Sequence, residues 1–243
     1  MKIAVIGGTG LIGSQVVRDL NEAGHEAVPH SLSTGVDILT GKGLDEALNG
    51  ADVVVNLTNS PTFDDASPAF FQISMDNLLA ASERAGAGHF VVLSIVGVDQ
   101  VPELDYYRAK TLQEDLLKAG PIPYSIVRAT QFMEFMDATL SWTADEETVR
   151  LPRTLIQPVA AAEVAATVAE VAAGTPLEGT LELGGPDTYP LDEIGRITLA
   201  AKGDKRTVTV DDSAGMFAVP QGDVLTTNEG ARIAPTRYVD WLK

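Results

Sequence analysis

The sequence predicts an α/β protein, a doubly wound parallel sheet with a smaller C-terminal region. Three observations lead there. Apolar strand-like runs alternate with helix-like segments over the first 130 residues, the pattern of strands joined by crossover helices. The runs VVV and FVVL are apolar at consecutive positions, so their strands are expected to be covered on both faces. A glycine-spaced turn joins the first strand to the first helix, and in such sheets ligands gather at the carboxyl ends of the strands.

Each element has its own reason. KIAVIGG is a strand, and LIGSQVVRDLNEAG a helix closed by Gly24. HEAVPHS is a second strand, weakened by Pro29. GLDEALNG reads as a short helix ending at Gly50, ADVVVNLT as a buried strand, and SPAFFQISMDNLLAASERAG as a long amphipathic helix. HFVVLSIVG is the next buried strand, DYYRAKTLQEDLLKAG a helix capped near Asp105, and IPYSIVRAT a strand. Beyond Gln131 the pattern loosens. FMEFMDATLSW reads as a helix or lid, PVAAAEVAATVAEVAAG as an alanine-rich helix, and TLELGGP as a strand and turn. LDEIGRITLAAKG is a helix and KRTVTVDD a strand, while Ser213 to Lys243 shows no assignable pattern.

Composition narrows the function. The 243 residues carry a net charge of −17, from 17 basic and 34 acidic side chains. Such a surface repels nucleic acid and anionic membranes, so a small-molecule partner is expected and neither of those. No cysteine is present, which excludes disulfides and thiolate chemistry. The apolar N-terminal run is too short for a membrane span or a signal core, and a cytoplasmic location is expected. His25, His30 and His89 stand apart without a carboxylate pattern, so no metal site is expected. The alanine-rich helix from Pro158 to Ala173 can face a second copy or cover the sheet, which leaves a homo-oligomer open.

The first turn carries the strongest signal. Gly7, Gly10 and Gly13 are spaced G-x-x-G-x-x-G, with Thr9, Leu11 and Ile12 among them. Glycines there let a pyrophosphate approach the free N–H groups of a helix start. At the end of the second strand no Asp or Glu stands ready for a ribose diol. Ser31 and Ser33 can instead donate to a 2′-phosphate, so the reading is NADP(H), with NAD(H) and a plain polar turn both left open. Asp37 can accept from an adenine amino group while Ile38 packs on the ring; the alternative is a cap for the GLDEAL helix. Leu57, Thr58 and Asn59 reach the carboxyl edge and are expected to face the cofactor.

A second constellation lies downstream. Ser94 ends a strand, and Tyr106 and Lys110 follow with spacing Y-x-x-x-K. On a helix, i and i+4 share a face. An ammonium beside a phenol lowers its pKa, so Tyr106 can exchange a proton with a substrate oxygen that Ser94 also binds. Lys110 can also hold ribose hydroxyls. Tyr107 is the alternative to Tyr106, at i+3 from Lys110.

The segments GGTGLIG, VDIL, FVVLSIVGV, YYRAK, IPYSIVRATQFMEF, QPVAAAEVA and LELGGPDTY together resemble the short-chain dehydrogenase/reductase superfamily. The likeness is to its atypical NmrA-like and isoflavone-reductase-like branch, over about the first 195 residues. It implies an NAD(P)-binding Rossmann core over 1–130, completed by 151–175. A substrate-binding region over 131–150 and 176–243 would complete the chain. It places Thr130 near the cofactor, and Gln131, Phe132 and Phe135 near substrate, with Met133 and Met136 completing an apolar wall. The segment before Asp37 is shorter than that branch usually has and lacks its arginine, which bears on cofactor preference. Three functions follow: an NAD(P)H-dependent oxidoreductase acting on a small apolar carbonyl or quinone-like substrate, a non-catalytic NAD(P) sensor, and a sugar-nucleotide epimerase or dehydratase.

Overall fold

A computed structural model describes all 243 residues. The elements run β1 (Lys2–Ile6), α1 (Leu11–Glu22), β2 (Glu26–His30), α2 (Leu44–Leu48), β3 (Val53–Asn56), α3 (Ser67–Ala85) and β4 (His89–Ile95). Then come α4 (Asp105–Ala119), β5 (Tyr124–Ala129), α5 (Met136–Ser141), β6 (Thr148–Leu151), β7 (Leu155–Ile156) and α6 (Ala161–Ala173). The chain ends with β8 (Gly179–Gly184), β9 (Tyr189–Pro190), α7 (Leu191–Lys202), β10 (Thr207–Val210), β11 (Arg232–Ile233) and α8 (Tyr238–Trp241). Seven strands form the main sheet in the order β11-β8-β5-β4-β3-β1-β2. β1 pairs in parallel with β2 on one side and β3 on the other. Strand order therefore reverses at β1/β3, the switch point where ligands bind in this Rossmann-type α/β fold.

Two compact units make up the chain. The first holds Met1–Ser94, Asp105–Arg128 and Ala162–Leu181. The second holds Ile95–Leu104, Ala129–Ala161 and Glu182–Lys243. In the first unit Ile6, Val54, Phe90, Val92 and Ile126 of the strands pack on Leu44, Leu48, Met75, Leu78 and Leu117 of the helices. Each such side chain, fully buried, contributes about 1.5–3 kcal/mol. Pro29 sits inside β2 without penalty because β2 is an edge strand.

The second unit departs more from the sequence reading. FMEFMDATLSW divides into a 3-10 turn, Met133–Phe135, followed by α5. β6 pairs in parallel with β10, and β7 pairs antiparallel with β9. β6, β7 and the tail's β11 and α8 run two to four residues each, too short to show a period. No helix is long and apolar enough to cross a membrane.

Candidate active site

The turn after β1 is built by backbone crowding. Gly7 adopts φ +79, and a Cβ there would meet the Leu57 carbonyl carbon at 3.0 Å. A Cβ on Gly13 would lie 2.2 Å from the Gly7 oxygen, and one on Gly8 2.6 Å from the Val5 oxygen. Gly10 N donates to Gly7 O at 3.0 Å, and Ser14 N donates to Gly10 O at 3.0 Å. The amides of Leu11, Ile12 and Gly13 thus open α1, with no side chain capping them and no acidic residue in the first turn. Free N–H groups at the positive end of a helix hold an anion. The cradle a Cβ would fill, and the open amides beyond it, fit a dinucleotide pyrophosphate. Thr9 lies exposed on the turn and Ile12 is buried beneath it.

The neighbouring groups divide. Ser31 and Ser33 lie just past β2, their hydroxyls 2.8 Å apart. Thr34 closes the turn by accepting from Ser31 N at 2.8 Å. Asp37 bends its own loop, its Oδ1 accepting from Leu39 N at 2.9 Å. Those backbone bonds hold its carboxyl below the usual carboxylate range. It does not cap α2, which starts after Gly43. Ile38 packs against the core of the first unit, and Asn77 donates to its carbonyl at 2.9 Å. Leu57 N donates to Ile6 O at 2.9 Å, which ties the end of β3 to β1. Thr58 bonds the side chain of Asn56 through both its N–H and its hydroxyl.

Asn59 turns elsewhere. Its Oδ1 accepts from the Tyr106 hydroxyl and from Ser60 N at 3.0 Å. The phenol ring is buried against Phe63, edge-on at 4.8 Å between centroids, and against Phe71 at 6.4 Å. Burial pushes its pKa up to about 12, with the Asn59 bond pulling the other way. The expected lowering by Lys110 is therefore corrected. Lys110 Nζ donates to Leu93 O at 2.7 Å and to Gln113 Oε1 at 2.5 Å, and lies 5.1 Å over the Phe71 ring. Burial drives the lysine down to about 7, against the pull of Glu114. The two residues share a helix face, but the ammonium is spent on backbone and amide rather than on the phenol. Burial pushes Tyr107 well above the usual phenol value.

Ser94 shares the face of β4 that carries Phe90 and Val92, by strand alternation, and those two pack into the core. Its hydroxyl is buried without a hydrogen-bond partner. Tyr106 and Ser94 are not joined. Burial alone would raise Glu114, but Arg128 and Lys118 outweigh it and keep it ionised. Arg128 donates to it twice, at 2.9 and 2.7 Å, and Lys118 once, at 3.1 Å.

In the second unit Thr130 donates its hydroxyl to Gln157 O. Gln131 receives Gln157 N on Oε1 at 3.1 Å and donates to Leu225 O at 3.3 Å. The Gln157 side chain in turn receives Thr227 N at 2.8 Å and donates to Gly185 O at 2.7 Å. Of the apolar wall, Met133 and Met136 are buried, while Phe132 and Phe135 stack at 5.5 Å with Phe135 half exposed.

Sequence reasoning missed Gln113, Glu114, Arg128 and Gln157. One signal was available: Tyr107, Lys110, Gln113, Glu114 and Leu117 recur at helix spacing, a polar stripe where an apolar one is expected. Nothing marked Phe63, which lies in a polar loop, and Gln157 stood only as the first residue of QPVAAAEVA, its partners scattered along the chain.

A family model described as NAD(P)H-binding matches residues 7–174, well over half of the chain. The chain belongs to this NAD(P)H-binding family. A (4-alkanoyl-5-oxo-2,5-dihydrofuran-3-yl)methyl phosphate reductase of Streptomyces griseus subsp. griseus is 31% identical over 210 residues, covering 79% of this chain and 70% of that protein. The photosystem II assembly factor Ycf39 of Synechocystis sp. is 28% identical over 151 residues, 55% of this chain and 46% of its own. A dTDP-4-dehydrorhamnose reductase of Bacillus anthracis, solved in complex with NADP, shares the fold with a TM-score of 0.76 at 17% identity, over 99% of this chain and 96% of that one.

Proposed function

We propose that the chain is an NADP(H)-preferring oxidoreductase of the short-chain dehydrogenase/reductase type. It reduces a small, uncharged, apolar carbonyl or quinone-like substrate, with Tyr106 as proton donor. The observation that carries this reading is the buried Tyr106 hydroxyl, aimed by Asn59 beside the carboxyl edge of the sheet. Burial keeps the phenol protonated at neutral pH, so it is loaded to give a proton to an oxygen gaining negative charge. An alkoxide is a stronger base than a phenolate, so that transfer runs downhill. Asn59 orients the phenol, a different part from the substrate-oxygen contact expected of Ser94.

The reduced nicotinamide, when bound, supplies the hydride. The amides of Leu11, Ile12 and Gly13 would hold the pyrophosphate. Ser31, half-buried, and Ser33, exposed, lie past β2 without a carboxylate ending the strand and support a 2′-phosphate. Lys110, one turn beyond Tyr106, would hold ribose hydroxyls. The Streptomyces relative is named for a phosphorylated substrate. Here Lys202, Arg206 and Arg237 are each paired, with Asp137, Asp204 and Asp187, which supports an uncharged one and argues against a nucleoside-diphosphate sugar.

The test is Tyr106→Phe. Affinity for NADPH stays within about twofold while carbonyl reduction falls about 10²–10⁴-fold, the usual worth of a general acid. Equal turnover by the variant removes Tyr106 from the chemistry. One observation favours a second reading, a non-catalytic NAD(P) sensor: Lys110 is engaged away from the phenol. Partner binding that follows the NADP⁺ to NADPH ratio, with no reduction of any carbonyl or quinone, would establish it.

A further inference from the structure

The loop that leaves β2 begins beside the glycine turn. Gly7 N and Gly8 N both donate to His30 O, at 2.8 and 3.3 Å, and His30 pairs with Ile6 across β1 and β2. The stretch from Ser31 to Gly43 therefore starts at the carboxyl edge next to the cradle. It lies wholly within the first unit, as does α3.

Two consecutive peptides of this loop are held from both ends. Asp37 Oδ1 accepts from Leu39 N at 2.9 Å and from Thr40 N at 3.4 Å. The carbonyl oxygens of the same two peptides, Ile38 O and Leu39 O, accept from Asn77 Nδ2 at 2.9 and 3.0 Å. In a trans peptide C=O and N–H point opposite ways. The asparagine amide thus stands on one side of the pair and the carboxylate on the other. Asn77 lies in the middle of α3, 38 residues beyond Leu39. Asparagine is a poor residue for a helix interior, because its side chain competes for backbone groups. Here that side chain donates to a distant loop and not to its own helix.

The loop has other anchors. Val36 N donates to Ser31 O at 3.0 Å and Asp37 N to Lys42 O at 2.9 Å. Val36 is buried, and Ile38 packs on the core. What Asn77 adds is the direction of the two peptides that carry Asp37. Both backbone bonds to the carboxylate fall on Oδ1, so Oδ2 takes no backbone N–H.

We propose that Asn77 is the positioning residue of the adenine end of the cofactor site. By fixing the Ile38–Leu39 and Leu39–Thr40 peptides it aims Asp37 Oδ2 at the exocyclic amino group of the base. Asn77 touches no ligand itself and acts through Asp37. The proposal rests on the dinucleotide reading of the glycine cradle, and on no reading of the chemistry that follows. It makes base discrimination a joint property of the β2 loop and α3. Adenine donates from its amino group, whereas hypoxanthine meets the carboxylate with a carbonyl oxygen, acceptor against acceptor.

The test titrates the full chain by calorimetry with NADPH and with its deamino form, in which hypoxanthine replaces adenine. The parent is expected to bind NADPH at least about tenfold more tightly, the effect of one hydrogen bond to a charged group. Asn77→Ala and Asp37→Ala each bring that preference below about threefold. The double variant binds NADPH within about twofold of Asp37→Ala, because the two residues act on one contact. Asn77→Ser, which keeps one donor on a shorter stem, supplies the same readout should Asn77→Ala not fold. A variant that keeps the full preference, whatever its thermal midpoint, makes the asparagine a fastening of the loop alone and overturns the proposal. So does a loss that adds to that of Asp37→Ala, or a parent that binds the two coenzymes equally while the cradle still holds both. A parent that binds neither removes the dinucleotide reading and this proposal with it.

Discussion

Gly13→Ala tests the cofactor cradle most directly. The new Cβ would lie 2.2 Å from Gly7 O, 2.6 Å from Gly8 Cα and 2.8 Å from Gly7 C. All three are backbone atoms, so no flexible side chain can yield. Ordinary contact requires a displacement of about 1 Å. Two effects oppose each other in stability. Alanine gains up to about 1 kcal/mol in a helix over glycine, and overpacking costs about 1–3 kcal/mol, so the net loss is about 0–2 kcal/mol. Binding loses more. The displaced first turn re-aims the amides of Leu11, Ile12 and Gly13, and each hydrogen bond to a charged group contributes about 1.5–3 kcal/mol. Losing one or two of them weakens cofactor binding by about tenfold to 10⁴-fold. The assay is titration with NADPH and NADH by fluorescence or calorimetry, alongside thermal unfolding. Gly24→Ala is the control. Gly24 also has positive φ, at +86, but nothing lies within 4 Å of its Cβ position. It loses about 1 kcal/mol of stability and leaves both affinities unchanged. If Gly13→Ala binds either coenzyme within threefold of the parent, the cradle is not where the pyrophosphate sits.

Ser31→Ala weakens NADPH about tenfold and spares NADH, since only the former carries a phosphate for a hydroxyl to hold; equal losses would unseat the NADP preference. Glu114→Leu strands the buried Arg128 guanidinium and costs about 3–5 kcal/mol in urea unfolding, and a loss below 1 kcal/mol would show that the pair is not desolvated. His89 is buried, its Nε2 bonded to Ser125 at 2.8 Å, and burial holds its pKa at about 4 against 6.5 unfolded. The folded state thus binds the proton less readily than the unfolded chain. Its contribution to stability is complete above pH 6.5 and is lost as pH falls towards 4, by about 3 kcal/mol. His89→Gln flattens that slope in pH-dependent denaturation, and an unchanged slope would place the titration elsewhere.

The site was legible unevenly. The glycine cradle and the strand-helix alternation could be read directly, because both are local. A Cβ on Gly13 collides with backbone a few residues away, while Gly7 is crowded by Leu57 from a neighbouring strand end, and apolar runs declare their burial wherever they stand. Tyr106 and Lys110 were also visible as a helix pair. What they touch was not. The phenol's partner, Asn59, comes from another strand end 47 residues earlier. The lysine's partners are Leu93 O and Gln113. Spacing on a helix says which side chains share a face, and says nothing of what the opposing strand presents.

Local chemistry therefore made the α/β architecture of this chain and its glycine turn legible, since the spacing of glycines and apolar runs is written in neighbouring residues. Folding alone assigned protonation and orientation. It set a phenol raised to about 12 and a lysine lowered to about 7, opposite to the sense expected for the phenol. It also turned Ser94 into the core beside Glu114. Desolvation and hydrogen-bond partnership depend on segments brought together from far along the chain, and no short motif encodes them.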